Sequence, residues 1–86
     1  MRYAIEFTPA AKRDLVALAR PMARRVDAAL QLLADNPYPP KAKKLRGKLS
    51  EYCRVSVGSF RIMYLVEDDK RVICVVKIKD RKDVYR

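Results

Sequence analysis

Apolar residues change from helical spacing to alternation at Pro37-Tyr38-Pro39-Pro40, and that switch constrains the fold more than any other feature. From Ala11 up to it they recur every three or four residues; beyond it they alternate. Ala11, Leu15, Leu18 and Met22 stand at intervals of four, three and four, and Val26, Leu30 and Leu33 continue the pattern, which is a stripe along one side of a helix. Thr8-Pro9 supplies an N-cap and a proline suited to the first helical position. Pro21 interrupts the stripe and can open a second helix, so the segment reads as a helical hairpin. It ends at Asp35-Asn36-Pro37, because the proline-rich run there cannot be helix interior. Before the hairpin, residues 2–7 alternate with Tyr3, Ile5 and Phe7 on one side, which predicts a strand with one buried face.

After the switch, Cys53, Val55 and Val57 share one strand face while Tyr52, Arg54 and Ser56 share the other. Gly58-Ser59 suits a tight hairpin turn. The next strand places Phe60, Ile62, Tyr64 and Val66 opposite Arg61, Met63 and Leu65. A polar turn, Glu67-Asp68-Asp69-Lys70, precedes Val72-Ile73-Cys74-Val75-Val76, whose continuous apolar character predicts a central strand buried on both faces. The expected architecture is α+β: an N-terminal strand, a helical hairpin, then a twisted, mostly antiparallel sheet of three to four strands, all in one domain over residues 1–86. At 86 residues the core is small, which leaves room for a partner to complete it.

Charge points to the kind of partner. The chain carries 20 Lys+Arg against 10 Asp+Glu, a formal +10. Residues 1–40 hold 6 basic and 4 acidic side chains; residues 41–86 hold 14 and 6, so the excess belongs to the second half. Such a surface fits phosphate-rich polyanions, an anionic membrane surface or an acidic protein. No run approaches the length of a transmembrane helix, and Glu6 stands where a signal peptide needs an apolar core, so the expected location is the cytoplasm. With no histidine and only Cys53 and Cys74, neither a zinc knuckle nor a Cys/His nucleophile pair can be built. No metal or cofactor is expected, and both cysteines are read as buried thiols rather than a disulfide.

The densest cationic stretch is Lys41-Ala42-Lys43-Lys44-Leu45-Arg46-Gly47-Lys48-Leu49, five basic residues in nine. It is either a solvated loop or a grip on an anion. Arg54 and Arg61 lie on strands beyond it; Arg61 is either at a site or paired with Glu51, Glu67 or Asp83. The C-terminal run Lys79-Asp80-Arg81-Lys82-Asp83-Val84-Tyr85-Arg86 is either a frayed tail or brings Arg81 and Tyr85 to the same concave face. Cations and a phenol, with no carboxylate pair and no histidine, exclude most hydrolytic chemistry. They still permit attack of an RNA 2′-OH on its own phosphate, which needs in-line geometry and cationic stabilisation of the phosphorane. Arginine is a poor base and an ordinary tyrosine a weak one at neutral pH, so such a site needs its substrate held by something else.

The strand and helical hairpin, Asn36-Pro37, Lys44-Leu45-Arg46-Gly47, Val57-Gly58-Ser59-Phe60-Arg61-Ile62-Met63-Tyr64 and Arg81-Lys82-Asp83-Val84-Tyr85-Arg86 together resemble the RelE/ParE superfamily of toxins from bacterial type II toxin-antitoxin systems. The resemblance spans almost the whole chain. Its RelE branch implies a ribosome-dependent endoribonuclease that cuts mRNA in the ribosomal A site without metal. It also implies a cognate antitoxin that wraps and silences the toxin, with operator DNA reached only through that complex, and no membrane partner. Position by position, Arg54 matches the first catalytic basic residue of the family's strand pattern, and Ser56 stands where the second is expected. Arg61 matches the strand arginine that resembles a phosphorane stabiliser, Arg81 the C-terminal arginine, and Tyr85 the tyrosine that stacks on or activates the substrate nucleotide. Asp80 replaces a histidine found in many relatives. Lys43, Lys44, Arg46 and Lys48 are expected to grip ribosomal RNA phosphates, with Ser56, Lys79 and Lys82 at the edge of the substrate. Two other functions fit the same resemblance: a ParE-like inhibitor of DNA gyrase, and an inactive member that acts as a corepressor with its antitoxin.

Overall fold

The computed structural model describes residues 2–40, 42–44 and 52–84. Strand β1 (Ala4–Phe7) leads to helix α1 (Pro9–Val16) and helix α2 (Arg20–Asp35). Then follow β2 (Lys43–Lys44), β3 (Tyr52–Val57), β4 (Phe60–Glu67), β5 (Val72–Asp80) and one helical turn, α3 (Arg81–Val84). The strands form a five-stranded sheet in the order β1-β5-β4-β3-β2. β1 lies parallel to β5, and the other pairings are antiparallel. This is the α+β architecture expected, with the first strand added beside the last.

Local chemistry sets the element ends. Thr8 closes the start of α1: its Oγ1 accepts the Ala11 N–H at 3.1 Å and donates to the Val76 carbonyl at 2.8 Å, so one hydroxyl both caps the helix and ties it to β5. Pro21 sits in the first turn of α2, where its missing N–H has no intrahelical partner to lose. Asn36 ends that helix, before Pro37. The β3–β4 hairpin turns on Gly58, whose φ of 59° favours a residue without Cβ.

Both helices cover the same face of the sheet. Val26, Leu30 and Leu33 of α2 and Ala11 of α1 bury against Cys53, Val55, Ile62, Tyr64, Ile73 and Val75. Each fully buried aliphatic side chain contributes about 1.5–3 kcal/mol, so this layer is the main source of stability. β5 lies inside the sheet, as expected, but its two faces differ. Ile73 and Val75 are buried under the helices, whereas Val72, Cys74 and Val76 are half-buried on the side the helices leave uncovered. The cysteines accordingly differ too: Cys53 is buried opposite Tyr64, and Cys74 is half-buried opposite Leu65 on the other face. Among the described residues no helix is long and apolar enough to cross a membrane.

One irregularity decides where the charges go. Tyr64 pairs with Val75 but Met63 pairs with Lys77, so Val76 is an extra residue in β5. In an unbroken strand Lys77 and Lys79 would share the face of Ile73 and Val75 and enter the core. The bulge shifts the alternation by one: Ile78 turns inward and is 2% exposed, and both lysines move to the opposite face.

Candidate functional site

Cross-strand register assembles a cationic surface on the sheet face that the helices leave uncovered. Lys43, Arg54, Met63 and Lys77 stand side by side across β2, β3, β4 and β5. Ser56, Arg61 and Lys79 form the adjacent row. Neighbouring strands lie about 4.8 Å apart, so the second row spans roughly 10 Å. Arg54, Arg61 and Lys79 are half-buried; Lys43, Ser56 and Lys77 are exposed. Like charges directly opposite one another oppose folding by about 0.2–1 kcal/mol per pair, and a bound anion relieves that repulsion.

At the end of this surface β5 runs directly into α3. The Arg81 N–H donates to the Ser59 carbonyl at 2.8 Å, which docks the start of the turn onto the β3–β4 hairpin. Asp80 caps the turn: its Oδ1 accepts the Lys82 N–H at 3.1 Å. Asp80 thus has a local role in setting where Arg81 begins. Arg81 and Lys82 are exposed. From the helix side, Arg25 Nη1 lies 3.1 Å from the position a Cβ on Gly58 would take, so the hairpin tip also receives an arginine from α2.

Lys79 has a defined partner. Its Nζ donates to Asp14 Oδ1 at 3.1 Å, and Asp14 Oδ2 accepts the Ile78 N–H at 3.0 Å. The ammonium expected to meet substrate is therefore held by a carboxylate from α1.

Of the residues singled out from sequence, Arg54, Ser56, Arg61 and Lys79 come together on one face, with Lys43 at its edge and Arg81 and Lys82 at its end. The backbone of Lys44 pairs with Cys53. Arg46, Lys48 and Tyr85, and the side chain of Lys44, lie outside the described residues. Sequence reading missed Lys77 and Asp14. The doublet Val75-Val76 followed by Lys77-Ile78-Lys79 carries the signal for Lys77, because Ile73, Val75 and Ile78 can share a face only across a bulge. Nothing local marks Asp14, which meets partners 64 and 65 residues away.

The profile of the family described as the ParE toxin of type II toxin-antitoxin systems, parDE, matches residues 5–85. The chain is similar to toxin RelG of Mycobacterium tuberculosis, 31% identical over 87 residues that cover 100% of this chain and 99% of that protein. Its fold is similar to that in the toxin-antitoxin complex RelBE2 from Mycobacterium tuberculosis, with a TM-score of 0.81, 28% identity, and coverage of 94% of this chain and 100% of that one. The archaeal RelE–RelB complex from Pyrococcus horikoshii is also similar, with a TM-score of 0.80, 26% identity, and coverage of 94% and 97%.

Proposed function

Because the chain belongs to the RelE/ParE superfamily of type II toxin-antitoxin toxins, we propose that it is a ribosome-dependent endoribonuclease that cuts translated mRNA in the A site. The observation that carries this reading is the register row of Ser56, Arg61 and Lys79 beside Arg54, on a sheet face the helices do not cover. The substrate 2′-OH attacks its adjacent phosphate and the 5′-oxygen leaves; Arg61 stabilises the phosphorane charge, with Arg54 and Arg81 beside it. Tyr85 stacks on or activates the substrate nucleotide. Lys43, Lys44, Arg46 and Lys48 hold ribosomal RNA, and Ser56, Lys79 and Lys82 the substrate strand. Arginine and an ordinary tyrosine are poor bases at neutral pH, so the site relies on the ribosome to supply the in-line geometry. The reaction takes place in the cytoplasm, and a cognate antitoxin, of the kind seen with RelE in the archaeal RelE–RelB complex, holds the toxin silent and carries it to operator DNA.

The test maps 5′ ends of a defined mRNA in a reconstituted translation system, with and without ribosomes, for wild type and Arg61→Ala. Cuts in codon register that require both ribosomes and Arg61 support the reading. Cuts that persist in Arg61→Ala remove Arg61 from the chemistry. The family profile's own description favours a second reading, a gyrase inhibitor of the ParE kind. Intact transcripts with gyrase-trapped plasmid breaks would select it. Absence of growth arrest on induction would select the inactive corepressor.

A further inference from the structure

We propose that Asp14 is a positioning residue for the cationic face: it fixes the direction of the Lys79 ammonium on the α1 side of β5 and holds the strand end from which Arg81 departs. The inference rests on the function proposed above and extends it to a residue on a different element. β1 pairs with β5 only from Val72 to Val75. Beyond that point no strand among the described residues lies along this edge of β5, and α1 takes its place. Thr8 donates to the Val76 carbonyl, and Asp14 accepts the Ile78 N–H. Any hydrogen-bond acceptor would satisfy that N–H; a carboxylate does more. Asp14 is only 14% exposed, and a largely buried carboxylate needs a cation as well as a single backbone donor. Lys79 supplies it at 3.1 Å, and Lys79 stands directly opposite Arg61. Without the carboxylate the ammonium loses the partner that sets its direction at the end of the row. Two residues further along β5 the chain reaches Arg81, so the same bond pair anchors the launch point of α3.

The experiment compares wild type, Asp14→Asn, Lys79→Met and the double variant. Asp14→Asn keeps an acceptor for Ile78 and removes the charge that holds Lys79. Two readouts are taken: single-turnover cleavage on programmed ribosomes, and binding of a 2′-deoxy trinucleotide, followed by amide shifts at Ser56, Arg61 and Lys79. That probe carries the phosphates but lacks the attacking hydroxyl. Each single variant is expected to lose roughly tenfold to a hundredfold in at least one readout, with the double variant no worse than the worse single. A purely structural role would lower the melting temperature without this coupling. Wild-type values for Asp14→Asn, or additive losses in the double variant, overturn the assignment. If wild type binds the trinucleotide but cuts nothing, the proposed reaction fails and binding alone decides Asp14. If it cuts without binding the free trinucleotide, cleavage decides. If it does neither, both proposals fall.

Discussion

The two ends of the sheet treat polar groups in opposite ways. At the β4–β5 turn they meet partners of complementary chemistry. Asp68 accepts the Tyr3 hydroxyl at 2.7 Å and the Tyr38 hydroxyl at 2.8 Å, and Arg71 lies 5.7 Å from the centroid of the Tyr3 ring. Arg2 reaches Asp35 and Gln31, each at 2.6 Å, while the buried Tyr64 hydroxyl donates to the Pro37 carbonyl at 2.7 Å. These bonds tie the N-terminus, the segment after α2 and the turn into one unit. At the β3–β4 end, by contrast, Arg61 stands opposite Lys79, and Arg81 leaves from the same corner. The first arrangement lowers the energy of the folded chain by itself. The second sets basic side chains next to one another, a placement that suits an anion more than it adds to stability. The stabilising bonds and the proposed binding surface therefore lie at opposite ends of the same strands.

That separation can be broken by substitution. The largest effect is expected from Arg61→Ala, which should lower ribosome-dependent cleavage by about 100-fold or more while the melting temperature stays near wild type. A rate that falls only in step with the folded fraction would mean that the cationic end also carries stability. Tyr64→Phe should act in the opposite sense. It leaves the Pro37 carbonyl without its donor at a buried position, at a cost of about 1–3 kcal/mol. That corresponds to a melting temperature lower by roughly 4–20 °C, with cleavage per folded molecule unchanged. Asp68→Asn is expected to lower the melting temperature less than Tyr64→Phe, since its bonds are exposed and the amide oxygen still accepts from one tyrosine. Loss of cleavage per folded molecule in either variant would join the two ends functionally.

Sequence periodicity reached one side of this contrast further than the other. The helical hairpin, the Gly58 turn and the inward residues of β3 and β4 were legible because period and turn chemistry are local. Arg54 and Arg61 followed from the same alternation. Strand neighbours were not legible: alternation says which face Ile5 occupies, not that β1 lies beside β5. The bulge at Val76 escaped because a continuous apolar run conceals a change of phase, and with it went the outward placement of Lys77. Asp14 and Tyr38 escaped for a third reason. Each acts through a bond to a residue at least 30 positions away, so no window of sequence contains both partners. Tyr38 was visible only as part of a helix-breaking segment, although its hydroxyl helps close the stable end.

The smallest expected effect is on pH dependence, and it separates the two ends without changing their shape. The Tyr3 hydroxyl, and after it that of Tyr38, hold the Asp68 carboxyl below the usual aspartate range. A carboxyl with a lowered folded-state pKa contributes its stability above the ordinary value of about 3.9 and loses it as pH falls through the folded value. Burial, and then the bond to Asp68, push the Tyr38 phenol up to about 12. Its contribution is complete below the ordinary tyrosine value of about 10 and is lost as pH rises from there through the raised one. Melting temperatures measured between about pH 2 and 6, and again above about pH 9, should therefore fall toward both extremes, with the acid limb flatter in Asp68→Asn. Trinucleotide binding at neutral pH by the folded protein should be the same in Asp68→Asn as in wild type, because Asp68 lies at the far end of β4 from Arg61. An acid limb as steep in Asp68→Asn as in wild type would assign the loss to carboxylates other than Asp68. Binding that weakens in Asp68→Asn would show that the tied end and the cationic end respond as one unit.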